Sequence, residues 1–300
     1  KWTAAPRPAA LSGALAVVVA ARGVAWRVWA MGGGQGTLGG AAAVVSDLIE
    51  EVPRQERAFH DIVQLTTKRM KTKHMRHYKY TMRVNRLFRI KPSEILQGYA
   101  AEARRLNLGE PKMLFHGTTP VNAEKILLEG FEIPRRGGMF GRGIYFAKDP
   151  LKSVRYAQQG VRGEAVARKA GQTGLGSGVS PTEESSQFPS VWFNNLWQSV
   201  FGSETRENVR HMLLCEVHLG NSRTLRSAKP QFDPSKGLRR TWPLEKLGAK
   251  DYSSVRAPGG TLGAVKVTEY VVYNEYQAIP RFLIEFEQTN ITPGQLWGRA

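Results

Sequence analysis

The fold class is decided by the stretch Leu114-Phe115-His116-Gly117-Thr118. Its apolar residues predict a buried strand that carries a histidine to its end, where a glycine removes side-chain bulk. A second stretch, Gly141-Arg142-Gly143-Ile144-Tyr145-Phe146-Ala147, predicts a glycine loop that leads into another short strand. Further strands are predicted at 212–219, 264–273 and 281–287, with few helices. The sequence therefore predicts an α+β fold that is dominated by sheet.

Two helices beside these strands have clear boundary signals. Thr119-Pro120 has the pattern of an N-cap followed by proline in the first turn, and Gly130 can end that helix. Asp149-Pro150 has the same starting pattern and opens a second helix. Because residues three apart share one face of a helix, Ser153 and Tyr156 should project from it together.

The composition excludes several classes of protein. The 300 residues include 43 Lys+Arg and 25 Asp+Glu, which gives a formal net charge of +18, and 41% are hydrophobic. This balance supports a packed core and excludes global disorder. No apolar run approaches the ~18 residues of a membrane helix. The single Cys215 excludes a disulfide framework and favours a reducing, intracellular compartment, nuclear or cytoplasmic.

Composition also divides the chain into segments. Residues 1–45 are Ala/Gly-rich and acid-free, which is typical of low-complexity or disordered sequence and also of an organelle transit segment. Residues 46–77 predict a basic, helical lead-in with Ser46 as the N-cap. The main domain is expected at 78–290, with an insertion at about 160–205, and residues 291–300 form a tail. Since the chain starts at Lys1, we expect it to be a fragment.

The segment Lys68–Lys91 contains ten basic residues and no acidic residue. Its second half alternates apolar and basic residues, which predicts a strand with one solvated face. One interpretation is a contact surface for nucleic acid or another polyanion. The other is an outer strand whose charges serve solubility, and the sequence alone favours neither.

A glycine motif near the start, Gly34-Gln35-Gly36-Thr37-Leu38-Gly39, matches the pattern of a dinucleotide-binding turn. Glu56 and Asp61 bracket the distance at which such a site needs an acidic residue. The chain that follows is amphipathic and then basic, whereas that site requires a buried apolar strand. We therefore interpret the motif as a chance match in Gly-rich sequence.

The strand ends suggest a site for a flat amide. Tyr145 and Tyr156 could enclose a planar ring, while Ser153 and the backbone of Gly117 bind its carboxamide. The stretch Val272-Tyr273-Asn274-Glu275-Tyr276 adds a carboxylate at the end of another apolar strand. Each residue taken singly has an ordinary structural explanation, but their joint spacing favours a site.

In this order, the pieces resemble the catalytic domain of the poly(ADP-ribose) polymerases, which are diphtheria-toxin-like ADP-ribosyltransferases. The resemblance covers roughly residues 78–287 and includes Leu-Phe-His-Gly-Thr, Gly-Arg-Gly-Ile-Tyr-Phe-Ala, Lys-Ser-x-x-Tyr, Leu-Cys-Glu-Val-x-Leu-Gly-Asn and Tyr-Asn-Glu-Tyr. It implies an ADP-ribosyltransferase fold of two packed, mainly antiparallel sheets with a few flanking helices.

The resemblance also implies roles for individual residues. The catalytic His-Tyr-Glu triad falls on His116, Tyr145 and Glu275, and NAD+ is the co-substrate, with no metal required. Met139 and Lys152 match positions on the acceptor side. The residues expected to bind NAD+ are His116, Gly117, Thr118, Gly143, Tyr145, Ser153 and Tyr156.

The implied function is transfer of ADP-ribose from NAD+ to protein acceptors. Because Glu275 is the third triad residue, the chain resembles members that build poly(ADP-ribose). Transfer of single units remains an alternative, as does a catalytically weak, basic nucleic-acid-binding or scaffold protein on the same fold. An NAD+-dependent enzyme that removes a tRNA 2′-phosphate would need an Arg-rich pattern that this sequence lacks.

Overall fold

The computed structural model describes residues 48–157, 209–232, 252–261 and 263–292. Within this part, one sheet contains β1 (Ile49–Glu51), β2 (Tyr80–Ile90), β3 (Lys112–Gly117), β4 (Ile144–Ala147), β5 (Val209–Val217), β6 (Ser222–Thr224), β7 (Ser254–Ala257), β8 (Glu269–Val272) and β9 (Ala278–Asn290). The strand order is β1-β2-β9-β5-β3-β4-β8-β7-β6. All neighbours are antiparallel except β6 and β7. The expected α+β class and mainly antiparallel sheet are confirmed.

The sheet is nearly divided in its middle. Strands β3 and β4 pair only at Phe115 and Ala147, whereas β3 pairs with β5 over six positions. The two expected sheets are therefore two halves of one sheet, which meet at a single residue pair. His116 follows Phe115 directly, so it lies where the halves part.

Five helices and one 3-10 turn flank the described part of the sheet. They are α1 (Arg57–Arg69), α2 (Thr72–Tyr78), α3 (Glu94–Arg105), α4 (Pro120–Glu129), α5 (Pro150–Val154) and the turn Glu275–Gln277. The expected start signals of α4 and α5 are confirmed. Thr119 accepts a hydrogen bond from the Asn122 N–H, and Asp149 accepts one from the Leu151 N–H.

The helix expected from Ser46 is wrong at its start. Residues 49–51 form strand β1, and α1 begins only at Arg57. Strand β1 pairs with the end of β2, where Arg86 binds Glu51 at 2.6 Å. Cross-strand pairs of opposite charge stabilise such an edge. Pro53 lies between β1 and α1, and it ends the strand because proline has no N–H to donate to the ladder.

Hydrophobic cores lie on both faces of the sheet. Leu114 of β3 packs in one core with side chains from α3 and α4. The next residue, Phe115, packs in the other core with Phe59 of α1 and Leu151 of α5. Because successive strand residues point to opposite faces, burial of both faces explains the unbroken apolar run. Phe59 lies within the expected lead-in, so residues on both sides of the expected boundary at residue 78 share one core.

The basic segment is only partly free to act as a surface. On β2, Arg83 pairs with Glu287 at 2.9 Å, and Arg89 pairs with Glu56. These pairs, with that of Arg86, compensate much of the strand's charge locally. Exposed basic residues remain on and around α2, and they are Lys68, Lys71, Lys73, Arg76 and Lys79. Contact of Lys68–Lys91 with nucleic acid therefore stays a hypothesis.

Several predictions from the sequence lie outside the described residues. They concern the segment 1–45 with its glycine motif, the insertion at 160–205 and most of the tail at 291–300.

Candidate functional site

His116 is held at the end of β3 by the neighbouring strand. Its Nδ1 lies 2.9 Å from the carbonyl oxygen of Tyr145, and its ring lies edge-on to Phe131 with centroids 5.1 Å apart. Burial lowers the pKa of His116. A carbonyl can only accept a hydrogen bond, so Nδ1 carries the proton. In the neutral ring, Nε2 is then an acceptor that can bind a hydroxyl group.

Gly117 lies in direct contact with the helix that carries Ser153. A Cβ atom at residue 117 would lie 1.9 Å from the backbone oxygen of Ser153. No other amino acid fits at this distance. Ser153 is itself only 3% exposed, and its hydroxyl group donates to the carbonyl oxygen of Phe115 at 3.2 Å. The end of β3 and helix α5 thus form one tightly packed unit.

Tyr145 connects the site to the glycine loop. Its hydroxyl donates to the Gly141 carbonyl and accepts from the Phe140 N–H, both at 2.9 Å. Burial raises the pKa of Tyr145 to about 12, so the hydroxyl stays protonated at neutral pH. Gly138 lies against the same ring, because a Cβ there would be 2.7 Å from the Tyr145 hydroxyl. The loop therefore fixes the orientation of the ring.

Helix α5 carries Lys152 at the edge of the site, and Tyr156 follows two residues after the helix ends. Tyr156 is 52% exposed, and the Lys152 ammonium lies 5.8 Å from the centre of its ring. The same ammonium pairs with the Glu269 carboxylate at 2.7 Å, and both side chains are nearly buried. No role for Glu269 was predicted from the sequence. The one sequence feature that pointed to it is a carboxylate within the otherwise apolar stretch that forms β8.

Glu275 approaches the site from the far end of β8. It opens the 3-10 turn, and its Oε1 accepts a hydrogen bond from the Ile133 N–H at 3.2 Å. Tyr99 of α3 braces this region, since its ring lies 4.9 Å from that of Tyr276 and its hydroxyl donates to the Phe131 carbonyl. Tyr99 was also missed, because nothing in the local pattern links α3 to the site.

The structure brings several of the expected residues into direct contact. His116 contacts Tyr145, and Gly117 contacts Ser153, as described above. Gly143 packs on β8, where a Cβ would lie 2.6 Å from the Val272 oxygen. Met139 lies on the glycine loop, and its carbonyl accepts from the Lys229 N–H at 2.7 Å. Thr118 follows β3 directly. The functional roles of all these residues remain predictions.

Comparison with known proteins identifies the family. The family model of the poly(ADP-ribose) polymerase catalytic domain matches residues 56–288. The mainly antiparallel sheet and its flanking helices are consistent with the ADP-ribosyltransferase fold of that domain. The chain belongs to the poly(ADP-ribose) polymerase catalytic domain family.

Individual relatives are distant. Human poly [ADP-ribose] polymerase 2 is 26% identical over 244 residues, which cover 74% of this chain and 33% of the relative. Arabidopsis thaliana poly [ADP-ribose] polymerase 1 is 27% identical over 227 residues, or 70% of this chain and 18% of the relative. The human protein mono-ADP-ribosyltransferase PARP3 is 25% identical over 179 residues, or 59% and 29%. The chain thus spans a third or less of the length of these relatives.

The described residues lack two further features. No helix among them is long and apolar enough to cross a membrane. Within the same residues, no group of three or more His, Cys, Asp or Glu side chains is arranged to hold a metal ion.

Proposed function

We propose that this chain is an NAD+ ADP-ribosyltransferase that breaks the nicotinamide–ribose bond and transfers ADP-ribose to protein acceptors. One observation carries the proposal. The ends of β3 and β4 and the short helix α5 are in contact through His116, Gly117, Tyr145 and Ser153, which are residues assigned to NAD+ from the family motifs. Glu275 lies at the end of the adjoining strand β8.

The residues at this break in the sheet fit the nicotinamide half of NAD+. Gly117 lets the end of β3 pack directly against the Ser153 backbone, which brings the Gly117 backbone and the Ser153 hydroxyl together as the groups that would bind the carboxamide. The oriented ring of Tyr145 and the exposed ring of Tyr156 can stack on the pyridine. The neutral His116 can accept a hydrogen bond from a ribose hydroxyl through Nε2.

The chemistry requires a carboxylate near the ribose. When the bond between C1′ and the nicotinamide nitrogen breaks, the electron pair leaves with neutral nicotinamide. The sugar develops positive charge, as in glycoside hydrolysis, and the carboxylate of Glu275 can stabilise it. An acceptor hydroxyl oxygen then bonds to C1′, and its proton passes to solvent. Clamping of the leaving group and the sugar supplies orientation.

Two candidate products remain. Glu275 supports addition of further ADP-ribose units, because a carboxylate can polarise the hydroxyl of a growing chain. Of the three relatives described above, two are named poly [ADP-ribose] polymerases and one a mono-ADP-ribosyltransferase, so the names support either product. Transfer of single units is therefore the second candidate.

The deciding experiment uses NAD+ labelled in the adenine half. We expect the protein to release nicotinamide and to label itself or an added protein, and a gel separates one unit from many. The variant Glu275→Gln should lose about 100-fold in nicotinamide release, in the range typical for a lost charge-stabilising group. Glu102→Gln on α3 is the control, since Glu102 pairs only with the exposed Arg105 among the described residues. Equal labelling by Glu275→Gln and wild type would refute the role of Glu275.

A further inference from the structure

Helix α5 cannot fix its own position. It has only five residues, from Pro150 to Val154, and isolated helices of this length are not stable. Its placement therefore depends on contacts with other parts of the chain. This matters because the proposed nicotinamide contacts Ser153 and Tyr156, and the proposed acceptor-side residue Lys152, all lie on or just after it.

The first contact comes from His74 on α2. Its Nδ1 lies 2.5 Å from Oδ2 of Asp149, and both side chains are almost completely buried. The other carboxylate oxygen of Asp149 accepts the N–H of Leu151 and so caps α5. The backbone N–H of Lys71 also donates to Oδ2. Because a carboxylate only accepts hydrogen bonds, the His74 imidazole is the donor in its bond to Asp149.

A second contact comes from β2. The Tyr80 hydroxyl donates to the carbonyl oxygen of Leu151 at 2.9 Å. The segment from Lys71 to Tyr80 therefore makes hydrogen bonds both to the N-cap of α5 and to its first turn. This same segment was expected from the sequence to be a lead-in that ends before the catalytic domain.

The fit around α5 leaves little room for movement. The backbone oxygen of Ser153 lies so close to Gly117 that a Cβ there would be 1.9 Å away. The side chains of Leu151 and Val154 are fully buried. A small tilt of the capped end must therefore displace Ser153 and the residues after it relative to the end of β3.

We infer that His74 is a positioning residue for the nicotinamide end of NAD+. By holding the carboxylate of Asp149, it fixes α5 and so the places of Ser153 and Tyr156. The inference rests on the proposed function, because it takes nicotinamide to be the ligand that Gly117, Ser153 and Tyr156 contact. His74 touches no reacting atom in this account, and it acts only through Asp149.

The test measures binding of benzamide, an analogue of nicotinamide, and of ADP-ribose by calorimetry. His74→Leu removes the N–H donor and fills the site with an apolar side chain. For this variant we expect about tenfold weaker benzamide binding, equivalent to about 1.4 kcal/mol. ADP-ribose lacks the nicotinamide ring, so its affinity should change less than twofold. His74→Asn keeps an N–H donor and should recover most of the affinity. His77→Leu, on an exposed position of the same helix, is the matched control.

Amide hydrogen exchange at residues 151–154 provides a readout that needs no ligand. Exchange there should be faster in His74→Leu than in wild type and His77→Leu. Tyr80→Phe removes one hydroxyl without a cavity, so it should fold and bind benzamide about threefold more weakly.

The outcomes distinguish failure of the positioning role of His74 from failure of the proposed function. If folded His74→Leu binds benzamide as wild type does, or no more weakly than His77→Leu, the positioning role is wrong. If His74→Leu does not fold, wild-type affinity in Tyr80→Phe with unchanged exchange overturns it. If wild type neither binds benzamide nor releases nicotinamide, the proposed function fails, while the exchange data still report on the grip of His74 on α5.

Discussion

Replacing Gly117 with alanine tests the proposed site most directly. A Cβ at this position would lie 1.9 Å from the backbone oxygen of Ser153, whereas real Cβ atoms essentially never approach closer than 3.0 Å. Helix α5 or the end of β3 must therefore move by at least about 1 Å. The contact is with backbone, so no side-chain rotation can relieve it.

A displacement of this size is large for catalysis. Misplacing a reacting group by about 1 Å can lower the rate about 100-fold, which corresponds to about 2.7 kcal/mol in the activation free energy. We expect Gly117→Ala to lose about this factor in kcat/KM for nicotinamide release. Benzamide binding should weaken in parallel, since the same helix would carry part of its site.

The matched control is Gly98→Ala on α3. A methyl group on Gly98 would have no neighbouring atom within 4 Å, and alanine favours a helix by about 0.5–1 kcal/mol. This variant should keep full activity and melt at a slightly higher temperature. The assay combines a thermal melt with nicotinamide release followed by chromatography. A folded Gly117→Ala protein with activity within threefold of wild type would refute the close packing of α5 on β3.

Two further predictions concern carboxylates that are withdrawn from solvent to different degrees. Glu269→Gln leaves the nearly buried Lys152 ammonium facing a neutral amide in place of the carboxylate at 2.7 Å, and it should lower the free energy of unfolding by about 3 kcal/mol in urea. Glu132→Gln removes the charge from an exposed Lys–Glu pair of equal length and should cost less than about 1 kcal/mol. Equal losses in the two variants would contradict the expected effect of burial. Burial raises the pKa of Glu124 to about 7 from 4.5, so its protonated form stabilises the fold fully below pH 4.5, and this contribution is lost as the pH rises to 7. At pH 8 the free energy of unfolding of Glu124→Gln should therefore exceed that of wild type by about 1 kcal/mol, after allowance for the partial exposure of Glu124. Below pH 4.5 the two proteins should have the same stability. A difference independent of pH would show that Glu124 is not the titrating group.

Local signals in the sequence were sufficient for most elements around the site. Thr119-Pro120 and Asp149-Pro150 predicted the starts of α4 and α5 because capping depends on a few adjacent residues. The strand before His116 was evident because it is buried on both faces. The helix expected from Ser46 failed, because pairing of β1 with the distant β2 outweighs the local preference for helix.

Contacts between distant residues were not available from the sequence. Glu269 and Lys152 lie 117 positions apart, and their pairing depends on how β8 and α5 meet. Tyr99 likewise lies far along the chain from the Phe131 carbonyl and the Tyr276 ring that it contacts. No local periodicity encodes such a contact, since periodicity reports only which face of an element is buried.

By itself, the sequence determined the family and the identity of the residues at the strand ends, because motif residues and short-range caps are written in adjacent positions. Only the tertiary structure decided that the two halves of the sheet meet at one residue pair, and that a histidine from the lead-in holds the helix of Ser153. These contacts depend on burial and hydrogen bonding between residues far apart in the sequence, and not on the local preference of any segment for helix or strand.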